Sequence, residues 1–337
     1  MMGAGKLNTG RGIRVCLLGQ PAWCHRLEAG LNRHTADELV ISKFFPQTRF
    51  SFRALRDAVK ADVLLRVGFR PGASTVRGRV FDAVWFALRR LNSDACGAMY
   101  WIGTDVLNTT RDFAAGKLRR AFFDSSVADL HIADAPWLVD ELAATGVRAT
   151  FIHLPGSSSC ASEVVPLGPT FRVLTYIPES RYRFYGGETI FEAASRLPFI
   201  QFDVVAGQGC WTSAPLPNLH FHGWQENMER FYRNACVVLR LVEHDSIGST
   251  VQEGLSFARH VLYSYPFPHT THIAFGDVER LVEALQKLFH LHQTGRLGPN
   301  VSGWAYATHE FDEARDARVL VSLLSENACR RRKGMNT

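Results

Sequence analysis

Residues 13–19, IRVCLLG, form an unbroken apolar run of the kind a parallel strand buried on both faces requires. Four further runs in the first half read the same way: ADVLLRVG (61–68), AMYWIG (98–103), ADLHIA (128–133) and ATFIHLP (149–155). Between them the apolar period lengthens to that of a helix. VFDAVWFALRRL (80–91) sets Phe81, Val84, Trp85, Leu88 and Leu91 at helical spacing and ends on Arg89 and Arg90. DAPWLVDELAATG (134–146) predicts a helix with Asp134 as N-cap, Pro136 in the first turn and Gly146 as its stop. Strands alternating with helices imply a doubly wound parallel sheet. The loop GQPAW after the first strand makes Gly19 a candidate for close ligand approach, although a tight turn explains it equally well; G-x-G-x-x-G is absent.

The pattern then breaks and restarts. GSSSCASEVVPLGP (156–169) is small, proline-punctuated and aperiodic, which predicts a linker. FRVLTYI (171–177), FIQFDVVAG (199–207), NLHFHG (218–223), ACVVLRLV (235–242) and HVLYSY (260–265) give a second set of strands, with helices over roughly 187–196, near 226–234, after Ser249, and over 276–295 capped by Asp277. The predicted organisation is a Rossmann-like domain over 1–156, a linker over 157–169, a second Rossmann-like domain over 170–305, and a C-terminal helix over 306–337 that crosses back to the first domain and ends in a basic tail, RRRK, expected in solvent. Two such domains face a cleft with the carboxyl ends of their strands, where ligands belong.

Composition narrows the function classes. The 337 residues are 46% hydrophobic and 21% charged, as in ordinary globular domains. No apolar run of about 18 residues occurs, and the opening MMGAGKLNTGRG lacks a signal peptide's apolar core, so the expected location is the cytoplasm. The seven cysteines are scattered without a C-x-x-C pair and read as reduced thiols. A formal charge of +6 favours an anionic partner, while the absence of a nucleic-acid-binding motif argues against nucleic acid.

The densest chemistry lies in DSIGSTVQEGLSFARHVLYS (245–264). A strand runs into EHDSIG, and Ser249 with Gln252 three residues later has the form of a capping box. The first amides of the helix, near Gly248 to Val251, lack intrahelical acceptors and carry the positive end of its dipole, which suits phosphate and makes Ile247, Gly248, Ser249 and Thr250 donor-binding candidates. Gly248 is expected to let that group near the backbone. Glu253, one turn on, has a carboxylate suited to a ribose, and Asp245 lies toward the other end of the same ligand. A diphosphate flanked by two polyols describes a nucleotide sugar.

D-x-x-G-x-x-x-x-E followed by GLSFARHVLYS resembles the E-x7-E element of retaining glycosyltransferases of family 4, with Asp245 in place of the first glutamate. YGGETIFEAASRLPFIQFDVVAGQG (185–209), LPNLHFHGWQENMERFYRNACVVLRLVEHDSIG and ADLHIADAPWLVDELAATGVRATFIHLP are similar to further family segments in the same order, so the resemblance covers most of residues 98–265. It implies the α/β GT-B fold and transfer of a sugar from a nucleotide-diphosphate sugar to a saccharide or lipid-linked acceptor, with retention and without a bound metal or other cofactor. The family's Arg and Lys that hold the donor diphosphate fall, aligned without gaps, on Ser180 and Tyr185. Arg181 and Arg183 on the same loop are the substitutes, Arg183 preferred, since guanidinium forks suit phosphate oxygens. Asp105, in the GTD that ends MYWIGTDVLN, is the candidate for a sugar hydroxyl, with an N-cap or Asx turn as its alternative.

The histidine pairs in HTTH (269–272), HLH (290–292) and HFH (220–222) lack a third ligand at metal spacing. Arg66, Arg70, Arg77, Arg79, Arg89, Arg90, Lys117, Arg119 and Arg120 interleave with Phe69, Phe81, Trp85, Phe86, Phe122 and Phe123. One shared exposed face would let the protein lie peripherally on the inner, anionic face of the plasma membrane; core packing accounts for the aromatics equally well. The alternatives are a GT-B protein that binds a nucleotide sugar or glycan without transfer and, last, an epimerase on the same fold.

Overall fold

The computed structural model describes residues 12–46, 51–68, 70, 72, 75–118, 127–156, 161–212, 214 and 216–334. It divides into two compact units, Met1–Ser157 with Glu313–Thr337, and Ser158–Asp312.

In the first unit, strands β1 (Ile13–Gly19), β2 (Leu39–Phe44), β3 (Val63–Val67), β4 (Cys96–Trp101), β5 (Leu130–Ala133) and β6 (Thr150–Phe151) form one parallel sheet in the order β2-β1-β3-β4-β5-β6. Helices α1 (Pro21–Thr35), α2 (Phe52–Val59), α3 (Val76–Leu91), α4 (Thr104–Ala114) and α5 (Pro136–Ala144) connect them. Strands β1, β3 and β4 are buried along most or all of their length, as their unbroken apolar runs require. β2 escapes the hydrophobic pattern because it is an edge strand with four of its six residues outside the core. GQPAW is no open loop: Gln20 ends it and Pro21 opens α1, the position where a missing N–H costs nothing. In α5 the cap is Ala135 rather than Asp134, whose Oδ1 instead accepts the Leu154 N–H at 2.7 Å.

The second unit holds β7 (Arg172–Tyr176), β8 (Gln201–Val205), β9 (Leu219–Phe221), β10 (Val237–Arg240), β11 (His260–Tyr263) and β12 (Thr270–His272), all parallel, in the order β12-β11-β10-β7-β8-β9. Its helices are α6 (Gly187–Arg196), α7 (Glu229–Asn234), α8 (Ser249–Ser256), α9 (Val278–Gln293) and α10 (Val301–Glu310). The order reverses between β7 and β10. Connections leaving these two neighbours run in opposite directions, and the crevice so opened at their carboxyl ends is where doubly wound sheets bind ligands.

Residues 161–169 of the expected linker are irregular but fastened to the second unit. Arg259, fully buried and with its pKa pulled down to about 10 by desolvation, donates to the carbonyls of Val165 and Pro166. The C-terminal helix α11 (Glu313–Arg332) belongs to the first unit and packs on α1 and β4. Its basic end is solvent-exposed at Arg330, Arg332 and Lys333, as expected, yet partly anchored: Arg331 pairs with Asp129 and donates to the Ser93 carbonyl, and Arg332 pairs with Asp62. No helix among the described residues is long and apolar enough to cross a membrane.

Candidate site at the switch point of the second sheet

The two loops at the reversal are joined by a backbone hydrogen bond, Glu243 N to Phe184 O at 3.0 Å. The first loop, after β7, carries Arg181, whose guanidinium lies 4.0 Å from the Phe184 ring centroid and 5.6 Å from that of Tyr185. The second strand supplies Arg240, 4.9 Å from the same Tyr185 ring. Arg183 stands apart, paired with Glu188 at 2.9 Å on an exposed surface. Both loop arginines are exposed and both lie over rings, Arg181 over Phe184 and Tyr185 and Arg183 5.6 Å from the centroid of Tyr182, but among the described residues only Arg183 of the two pairs with an acid, Glu188.

Arg240 is the residue the hydrophobic pattern did not flag. It closes an otherwise apolar strand, and its Nε and Nη2 meet Asp245 Oδ2 and Oδ1 at 2.9 and 2.8 Å, a buried fork. Burial alone would pull the Arg240 pKa down, but the Asp245 charge and its hydrogen bonds overcome this and hold it above the ordinary arginine range. The Tyr263 hydroxyl, 2.8 Å from Ser246 O and 3.2 Å from Asp245 Oδ2, completes the surround. Asp245 is thus engaged by protein groups on both carboxylate oxygens.

Gly248 takes its identity from the same pair. Its φ of −58° is open to any residue, but a Cβ there would lie 2.8 Å from both Arg240 Nε and Asp245 Oδ2. The glycine that sequence reasoning assigned to ligand approach is required first by the ion pair beneath it. α8 begins at Ser249 with Gly248 as cap, so Ser249 is a helical residue and not the cap of a capping box. Gln252 reaches back to the chain before the helix instead, its Nε2 donating to Ile247 O at 2.9 Å.

This leaves the helix start chemically exposed. No side chain caps it and no acid lies in its first turn. The Gly248 carbonyl accepts from the amides of Val251 and Gln252. Among the described residues, the amides of Gly248 and Thr250 donate to no protein acceptor, and the buried Thr250 Oγ1 has no partner. Buried polar groups are normally satisfied, so such a cluster at a positive dipole end calls for an anionic acceptor. Glu253, one turn further, is buried beside the Tyr232 hydroxyl of α7; burial first, then the Glu253 charge, pushes that phenol well above its usual pKa. Tyr232 was invisible to sequence reasoning, because it lies on a different helix.

The remaining candidates belong to the first unit. Asp105 is buried on the first turn of α4, whose N-cap is Gly103, and accepts from Ile102 N and Val106 N at 3.0 Å, bonds within its own turn. Desolvation raises its pKa to about 6 against the lowering effect of those amides. Gly19 has φ +125°, and a Cβ would come 2.2 Å from Val67 O, so the β3 backbone dictates it. Arg66 and Arg89 are buried in pairs with Asp82 and Asp129, and Phe81 and Trp85 are core residues, which removes them from any exposed basic face; Phe69, Arg119, Arg120, Phe122 and Phe123 lie outside the described residues. His222 pairs with Asp203 and His292 meets Gly168 O at 2.9 Å. Among the described residues, no group of three or more His, Cys, Asp or Glu is arranged to hold a metal.

No family model and no curated protein sequence matches the chain. Solved structures do. HepE from Anabaena, in complex with UDP-glucose, superposes with a TM-score of 0.66 at 12% identity over 93% of this chain and 100% of its own. A glycosyltransferase from Rickettsia africae gives 0.61 at 9% identity, covering 94% and 98%. Sucrose-phosphate synthase from Thermosynechococcus elongatus gives 0.60 at 13%, covering 94% and 97%. At such identities the likeness speaks for the architecture: two Rossmann-like α/β units of parallel strands, the fold of the GT-B glycosyltransferases.

Proposed function

We propose that the protein is a glycosyltransferase that takes a sugar from a nucleotide-diphosphate sugar and passes it, with retention at the anomeric carbon, to a saccharide or lipid-linked acceptor. The observation that carries this is the open start of α8, where two amides and the Thr250 hydroxyl lack protein partners beside a buried acid. A diphosphate fits the amides, and the Glu253 carboxylate, an acceptor only, fits the vicinal hydroxyls of a ribose. The UDP-glucose bound by HepE has both groups.

As the bond to the diphosphate breaks, negative charge grows on the leaving oxygens. The α8 dipole and the Arg181 guanidinium stabilise it without moving, because Phe184 and Tyr185 hold the arginine in place. Asp245 does not touch the sugar in this account; it locks Arg240 and so presets the 245–248 loop. The acceptor hydroxyl attacks from the face the diphosphate leaves and passes its proton to the departing phosphate oxygen, so no enzymatic nucleophile is needed. The nucleotide sugar serves as co-substrate, and no bound metal is invoked.

Incubation with UDP-, GDP- and dTDP-sugars tests the proposal. Slow release of free nucleotide diphosphate from at least one donor is expected. Tight binding with no release from any donor, with or without glycan acceptors, would turn the assignment to a binding protein, and a new sugar nucleotide without acceptor would turn it to an epimerase.

A further inference from the structure

Helix α3 packs its inner face, Phe81, Trp85 and Leu88, into the core of the first unit. A surface helix with one buried face should show polar residues outward. α3 does not. At about 100° per residue, Val76, Val80, Ala83, Ala87 and Leu91 fall within one stripe roughly 80° wide on the side opposite Trp85. Val76 is 68% exposed, Val80 45% and Leu91 70%. Arg79 and Arg90 flank this stripe on one side and Arg77 on the other, all three exposed. The single acid of the helix, Asp82, is turned away to Arg66 and the Gly72 amide.

α2 packs beside α3 and repeats the composition. Phe52 is 81% exposed, Arg53, Arg56 and Lys60 are exposed, and the helix's one acid, Asp57, is paired with Arg56 at 3.5 Å. Two neighbouring helices thus present apolar side chains among exposed cations that outnumber the acids of the same helices. Arginine stems lie along apolar surface while their heads reach toward phosphate. A second copy of the chain would bring arginine against arginine across a two-fold, which charge complementarity forbids.

We infer that the outward surfaces of α2 and α3 dock the protein on an anionic lipid surface, the apolar stripe entering the headgroup boundary and the arginines meeting lipid phosphates. This rests on the first unit alone and stands or falls separately from the transferase assignment.

Co-sedimentation of the full chain with vesicles of phosphatidylglycerol and phosphatidylcholine, against pure phosphatidylcholine, tests it. Binding to the anionic vesicles only, weakening with salt, is expected. The triple variant Arg77→Glu, Arg79→Glu, Arg90→Glu should bind at least about 100-fold more weakly, since each cation near such a surface contributes roughly five-fold. Val80→Ser with Leu91→Ser should weaken binding at any salt. All five residues are exposed, so unchanged thermal unfolding serves as the folding control. Equal binding to both vesicles, no vesicle binding, undiminished binding by the triple variant, or concentration-dependent dimerisation abolished by the same changes would each overturn the inference.

Discussion

Arg240 and Asp245 are worth separating by a double-mutant cycle, because the account makes them one unit. Arg240→Met keeps the stem and strips the charge, leaving the Asp245 carboxylate only 8% exposed and without its counterion. Removing one member of a buried pair costs about 3–5 kcal/mol. The structure supports the upper half of that range, since two charge-assisted hydrogen bonds at 2.9 and 2.8 Å are lost at once and each is worth about 1.5–3 kcal/mol. Asp245→Asn leaves the guanidinium buried and should cost a similar amount. The double variant buries no lone charge, so its cost should match one single variant, giving a coupling energy of about 4–5 kcal/mol. Urea unfolding reads this as midpoint shifts of about 2–2.5 M for each single variant at m-values of roughly 2 kcal/mol/M. If the two single losses simply add, within about 0.5 kcal/mol, the pair is not the support of the 245–248 loop.

Further outcomes follow from the same contacts. Gly248→Ala places a Cβ against Arg240 and Asp245; calorimetry should show a loss of about 1–3 kcal/mol, relieved in the Arg240→Met background. Glu253→Ala should weaken UDP-glucose binding on the order of 10–100-fold by titration calorimetry, whereas Tyr185→Phe, which keeps the ring under both guanidinia, should leave it near the parent value. Asp105 titrates at about 6 in the folded chain, raised from 3.8. Between those values the native state keeps a proton that the unfolded chain releases, so this stabilisation is complete below about pH 4 and is lost as pH rises through about 6, on the order of 3 kcal/mol in all. Asp105→Asn should flatten the stability profile across that window, and an unchanged slope would contradict the assignment.

Buried parallel strands were legible because burial on both faces leaves few polar positions: β1, β3, β7 and β10 each follow a mainly apolar run. Of the four edge strands, β6 and β9 fall inside the apolar runs 149–155 and 218–223, but β2 and β12 were missed, since both face solvent and the HTTH of β12 reads as a histidine pair. Asp277 was found as a helix cap because its side chain bonds three residues ahead, to Arg280 N. The start of α8 was located correctly but its capping was misread, as a hydroxyl at Ser249 cannot reveal that the chain turns helical one residue earlier. A lone arginine in ACVVLRLV was the available signal for Arg240. Its partner, its aromatic neighbour and the space it denies Gly248 are tertiary facts, as are the ring contacts of Arg181 and the Arg183–Glu188 pair.

Amide NMR shifts at Gly248 and Thr250 during titration with UDP address the central claim most directly. The account predicts large downfield shifts and slowed hydrogen exchange at these two amides, both abolished by Glu253→Ala at the same UDP concentration. Saturable UDP binding that leaves the two amides unmoved would contradict it.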